Sequence, residues 1–209
     1  MLALIMAAAA TIVVPMPTGK DAQHVMWHAG KGVDTHNRWA AAVLDMWVGP
    51  DGKVVSCGIS RFLGSEGVAD GMCAAMIGRK LGGPKDIDGN KSYALVRSSF
   101  AIFPDSQRHK LSEFNAKVVD LMAEGNRKAV SPGQHSPGPV YLRLMIGKDG
   151  KLAACQADKD VATDAAGDAC AAISSIEFEP RVDEAGNPVS YVGSETVEFV
   201  TNADPAPAN

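Results

Sequence analysis

An α+β fold made of two tandem β-β-α-β units, each a small sheet with one packed helix, is predicted by three features of this 209-residue chain. The run Asp51-Gly52-Lys53-Val54-Val55-Ser56-Cys57 returns 98 positions later (149 − 51) as Asp149-Gly150-Lys151-Leu152-Ala153-Ala154-Cys155. Each copy follows an apolar run and precedes a second cysteine, Cys73 or Cys170, that opens a Cys-Ala-Ala run. Pro84…Asp88-Gly89-Asn90 and Pro180…Gly186-Asn187 then lead into a last β-rich run in each copy. Matching order at nearly matching spacing marks an internal duplication, and a repeat has to be recognised before any single element is read. The units span 38–104 and 137–201. A leader covers 1–22, a helical connector and Pro-rich linker cover 105–136, and an Ala/Pro-rich tail expected to be disordered covers 202–209.

Each element follows from its local pattern. Residues 15–37 show no sustained period and are read as an N-terminal segment partly draped on the first unit through Val25-Met26-Trp27. Val43, Trp47 and Val48 have the β-branched and aromatic character of a strand. Gly49-Pro50-Asp51-Gly52 suits a type I turn closing into a bulged hairpin, with Pro at the second turn position and Gly able to take positive φ. Gly147-Lys148-Asp149-Gly150 keeps Gly, Asp and Gly in the same places and should turn the same way. A helix follows, capped by Ser65, with Ala69, Met72, Cys73, Met76 and Ile77 on one face. In the second copy Thr163 is the expected cap, and Ala166, Ala169, Cys170 and Ile173 fill the same phases. After a polar Pro/Gly turn each unit ends in a strand, over 92–103 and 189–200. Between the units, 106–125 reads as a helix with Leu111, Phe114, Val118, Leu121 and Met122 on one side.

The cysteines are four, two per repeat. Four cysteines allow three pairings, and the repeat selects Cys57–Cys73 and Cys155–Cys170, one bridge per unit joining hairpin to helix. The intervals of 16 (73 − 57) and 15 (170 − 155) lack the close C-x-x-C pairs of a zinc site, so no metal is expected at the cysteines. Disulfides point to an oxidising compartment. So does the apolar run Met1–Val14, which is too short to span a bilayer comfortably and has the small-residue richness of an export signal. Cleavage after Ala10 or near Ala22 fits; a short retained anchor and an ordinary buried segment are the alternatives. A net charge of −4 and the absence of any basic run give no reason to expect nucleic acid or an anionic membrane as a partner.

Chemical motifs are sparse. His24 and His28 stand at i, i+4, with His36 in reach along the chain, but two imidazoles seldom hold a metal. One aspartate per Asp-Gly turn is too few ligands for calcium. His109 and His135 have no assignable acid or nucleophile partner, and no nucleophile elbow, phosphate loop or zinc-protease motif occurs. The chain is therefore read as a non-enzyme without a cofactor, with a thiol-disulfide redox protein as the catalytic alternative.

Ile176-Glu177-Phe178-Glu179-Pro180, followed by Arg181 and Asp183…Gly186-Asn187-Pro188-Val189, together with the apolar strand, Asp-Gly-Lys turn, second strand and amphipathic helix, resembles the C-terminal domain of TonB-type energy transducers. Bacterial relatives in that family also carry cysteines at the positions of Cys155 and Cys170. The resemblance covers about 137–201 and extends less closely over 38–103, where the helix exit Leu81-Gly82-Gly83-Pro84 lacks the Phe. It implies a periplasmic module that holds a peptide, such as an outer-membrane receptor segment, by adding it as a strand to an exposed sheet edge. The last strands are the expected edges, with Val96, Val197, Glu198 and Phe199 as contact residues; the same edges leave a homodimer open. The departures are a short leader, no long Pro-rich spacer before residue 38, and two modules in place of one. They favour an exported binding protein, periplasmic or held by a short anchor, over an energy transducer for outer-membrane transport.

Overall fold

The computed structural model describes residues 11–29, 31, 39–102, 127–130 and 138–201. Their elements are α1 (Gly19–Ala29), β1 (Ala40–Val48), β2 (Val54–Gly64), α2 (Glu66–Met76), β3 (Tyr93–Ile102), β4 (Arg127–Val130), β5 (Gly138–Ile146), β6 (Leu152–Ala157), α3 (Thr163–Ile173), β7 (Arg181–Val182), β8 (Pro188–Val189) and β9 (Tyr191–Thr201). The architecture is α+β. Seven strands form one mixed sheet in the order β2-β1-β3-β9-β5-β6, with β4 alongside β9, and β7 and β8 make a separate ribbon.

Both hairpins close as their sequences predict. Gly52 N–H donates to Gly49 O at 2.8 Å and Gly150 N–H to Gly147 O at 3.0 Å, with φ of 85° and 78° at the two glycines. A residue with a Cβ would be strained there and would also run into backbone, that of Gly82 in the first turn and of Phe178 in the second. The reason is a second backbone contact: Leu81 N–H donates to Gly52 O and Phe178 N–H to Gly150 O, both at 2.9 Å. Each Asp-Gly turn is thus the seat on which the chain leaving the helix rests.

The helices stack on opposite faces. Leu44, Met46 and Val48 of β1 meet Val68, Met72 and Met76 of α2 and Val25 of α1 in one core. Trp47, pointing the other way by the two-residue period of a strand, joins Leu142, Leu144 and Ile146 of β5 and Ala169 and Ile173 of α3 in a second core. Strand β1 is therefore covered on both sides, with all but Asp45 of its nine residues buried. Trp47 also stacks on Tyr93 (ring centroids 5.2 Å apart) and meets the edge of Tyr191 at 5.4 Å. Disulfides Cys57–Cys73 and Cys155–Cys170 tie β2 to α2 and β6 to α3.

Four details depart from the sequence reading. The N-terminal segment is not featureless: α1 packs on α2 through Ala29, whose backbone lies so near Gly71 that a Cβ there would collide with it. Ile12 is fully buried in the first core, so removal of the chain up to Ala22 would open a cavity and cut α1 in two. Thr163 is the first helical residue of α3 and not its cap; Ala162 holds that place without a side-chain hydrogen bond. Ile77 lies past the end of α2 and is 55% exposed. The helix expected over 106–125, His36, His109, His135 and the tail fall outside the described residues.

Replacing Cys57 and Cys73 together by alanine removes the closure of a loop of about 15 residues and should lower stability by about 3 kcal/mol, measured by urea unfolding against the intact protein. Trp47→Ala, which empties the aromatic junction, should cost about 3–5 kcal/mol in the same assay.

Candidate functional site

The residues expected at an open edge lie inside the sheet, because the two last strands pair with each other. Tyr93, Ala94 and Leu95 of β3 run parallel to Tyr191, Val192 and Gly193 of β9. Val96 is fully buried opposite Met46. Val197 and Phe199 are buried in the second core and pair with Val140 and Gly138 of β5. Glu198 sits between Pro139 on one side and Arg127 of β4 on the other. The outermost strands are β2 and β6. The expected contact surface is corrected accordingly: Glu198 and Phe199 are flanked by strands on both sides.

One part of the expected edge stays open. The β3–β9 ladder stops at Leu95, while β3 keeps its pairing to β1 as far as Ile102. Beyond that point β9 is drawn aside by β4, which pairs with it over Glu198–Thr201. Arg97 marks the fork. Its guanidinium holds both carboxylate oxygens of Asp45, at 2.7 and 3.1 Å, and reaches Glu195 of β9 at 3.8 Å. Past Arg97, a groove of about 320 Å³ runs beside Ser98, Ser99, Phe100, Ala101 and Ile102. Five consecutive strand residues alternate between the two faces, so all five line one groove because it follows the backbone edge. Among the described residues, β1 is the one strand neighbour of this stretch.

Helix α1 forms the opposite wall through Gly19, Ala22, Val25 and Met26. Its position depends on Asp21, 3% exposed. One carboxylate oxygen caps the helix by accepting from Thr18 N–H (2.8 Å) and Thr18 Oγ1 (2.7 Å). The other accepts from Arg79 at 2.6 and 3.2 Å. Burial raises the Asp21 pKa, but the hydrogen bonds of Thr18 and Arg79 and the charge of Arg79 outweigh it, so the carboxyl lies below its ordinary value. The lining of the groove carries no ionisable side chain.

Other features explain motifs rather than form sites. Asp86 and Asp183 accept from Asn90 N–H and Asn187 N–H, both at 2.8 Å, closing two like turns. The rings of His24 and His28 lie 4.2 Å apart; desolvation and then the charges of Lys31, His24 and Arg79 hold His28 below the usual imidazole range. No cluster of three His, Cys, Asp or Glu suited to a metal ion occurs among the described residues. A larger recess of about 720 Å³ beyond β6 is lined by Arg143, Asp158, Lys159 and Asp160; Arg143 and Asp158 neutralise each other at 2.6 Å.

No known protein family, curated protein or solved structure matches the chain.

The Asp21 carboxyl titrates lower folded than unfolded. Its contribution is therefore complete above about pH 4 and is lost as pH falls through the lower folded value. Asp21→Asn should cost about 3 kcal/mol at pH 7, near the lower end for breaking a buried pair, and the difference from wild type should shrink in urea melts taken toward pH 2.

Proposed function

We propose that the chain is an exported, non-enzymatic protein-binding module, a duplicated relative in form of the TonB C-terminal domain, that holds an extended partner segment as an added strand on β3. The observation that carries this reading is the forked ladder. From Ser98 to Ile102 the strand runs beside an elongated groove at its own backbone edge. A β-edge offers alternating N–H and C=O groups, so main-chain bonds supply affinity, while the walls select side chains. The groove wall is Pro, Thr, Gly, Ala, Val, Met, Ser, Phe and Ile, which suits a segment of small or apolar uncharged residues. Charged segments would lose hydration there without gaining a partner.

The compartment supports the same reading. Two disulfides belong to an oxidising environment, and no helix among the described residues is long and apolar enough to cross a membrane. Cys73 is 7% exposed and sits in the first core between Met72 and Met76, which for the first bridge favours a clamp over a redox centre, because exchange needs an accessible thiolate.

The test is amide hydrogen exchange on the full chain with a panel of extended, uncharged peptides of about eight residues. A binding peptide should protect roughly alternate amides over 98–102. The same peptide N-methylated on its bonding edge should lose at least about tenfold in affinity, and Ala101→Glu, which brings a charge into the groove, should do the same. Protection confined to β2 or β6 would move the site to the outer strands and overturn this assignment.

A further inference from the structure

The N-terminal strap and α1 present an exposed apolar surface that extends beyond the strand-docking groove and meets it at Met26. Among the exposed large apolar side chains are Val13 (39%), Met16 (55%), Met26 (59%), Trp27 (77%) and Tyr141 (59%). Val13, Met16 and Tyr141 line one recess of about 450 Å³, whose charged lining residues are the pairs Arg97–Glu195 and Arg143–Asp158. Met26 lines the neighbouring groove together with Pro17, the residue after Met16. The patch is thus continuous along the strap, from β5 across to α1. Scattered exposed apolar residues need no explanation, but a continuous patch on a small protein does.

Charge is arranged around it. On α1, Lys20, His24 and Trp27 share one helical face at spacings of four and three, and exposed Lys31 follows the helix. The one acid of the helix, Asp21, is turned inward and neutralised by Arg79. The outer face of α1 is therefore a single large aromatic flanked by cations, in a chain whose net charge is −4. Aromatic rings with an apolar body and a polar tip, beside lysines, favour the headgroup layer of a bilayer.

Ile12 N–H donates to Gln156 Oε1 at 2.8 Å, and Gln156 neighbours Ala154, whose side chain belongs to the α2 face of the sheet. Ile12 at the start of the strap therefore lies on the face that carries α1. The geometry points to a bilayer surface with anionic headgroups as the occupant of this patch: Trp27, Met26 and Met16 enter the headgroup layer, while Lys20 and Lys31 meet its phosphates. This surface shares Met26 with the wall of the strand-docking groove, whereas Trp27, Met16, Lys20 and Lys31 lie outside that wall.

Co-sedimentation of the full chain with vesicles of phosphatidylethanolamine and phosphatidylglycerol tests it. Binding should be stronger than to phosphatidylcholine vesicles and should fall as salt rises. Lys20→Ala and Lys31→Ala should each weaken it by about fivefold. Trp27→Ser combined with Met16→Ser, neither of them in the wall of the strand-docking groove, should weaken it at least about tenfold, with the melting temperature within a few degrees of wild type because both side chains are exposed. Quenching of tryptophan emission by brominated lipid should disappear with Trp27→Ser alone. Absence of vesicle binding overturns the proposal. So does binding that the Trp27/Met16 variant leaves unchanged, since the leader alone would then hold the chain to lipid. Equal binding to neutral and anionic vesicles would remove the headgroup assignment.

Discussion

Three residue pairs hold the architecture together. The parallel ladder from Tyr93–Leu95 to Tyr191–Gly193 is the junction at which two hairpin-and-helix halves become one sheet. Taken as copies of one motif, the halves can meet this way in only one arrangement. A half-turn about an axis along the strands preserves strand direction and exchanges the two faces. Parallel neighbours at one height show their side chains on one face, so the copies must slip by an odd number of residues to pair. After the helices the repeat interval is 97 (170 − 73, and likewise 183 − 86), whereas the ladder joins residues 98 apart (191 − 93). The slip is one residue, and its consequence is that α2 and α3 lie on opposite faces.

Burial follows from that junction. With helices on opposite faces, a sheet that would expose one side in each separate half is covered over part of both. Met46 and Trp47, adjacent in sequence, enter different cores, and Met145 and Ala154 of the second hairpin pack beneath the first core. The disulfides act within each half, fastening a helix to its own hairpin. The aromatic contact of Trp47 with Tyr93 and Tyr191 acts between them. The groove arises at the far end of the same ladder, where β9 is taken up by β4 and β3 continues with β1 on one side and α1 beside the other.

Local chemistry was readable in advance. The Asp-Gly turns, the buried stripe of α2, the Ser65 cap (Val68 N–H to Ser65 Oγ, 3.4 Å) and the disulfide pairing each depend on residues close in sequence or on the repeat. Helix α1 was also within reach: Thr18-Gly19-Lys20-Asp21 has the spacing of a capping box, and the structure makes its return half, with the Asp21 carboxylate accepting from Thr18 N–H, while the Thr18 hydroxyl donates to the same carboxylate. Its mixed composition hid it, since Lys20, Gln23, His24 and His28 dilute the apolar stripe of Val25 and Ala29. Asp21–Arg79 was not legible, because nothing in sequence ties residues 58 positions apart.

By itself, then, the sequence determined the turns, two of the three described helices and the sulphur bridges, because turn geometry, helical period and repeat spacing act over a few residues. Which strand edges stay open was decided by tertiary structure alone. An edge is defined by what lies beside it, and the same apolar alternation that marks 93–102 and 191–201 as strands serves equally at a border or in the middle of a sheet. Pairing of the two last strands satisfied backbone groups that either half would have left to solvent, and it moved Val96, Val197 and Phe199 from a supposed border into the interior.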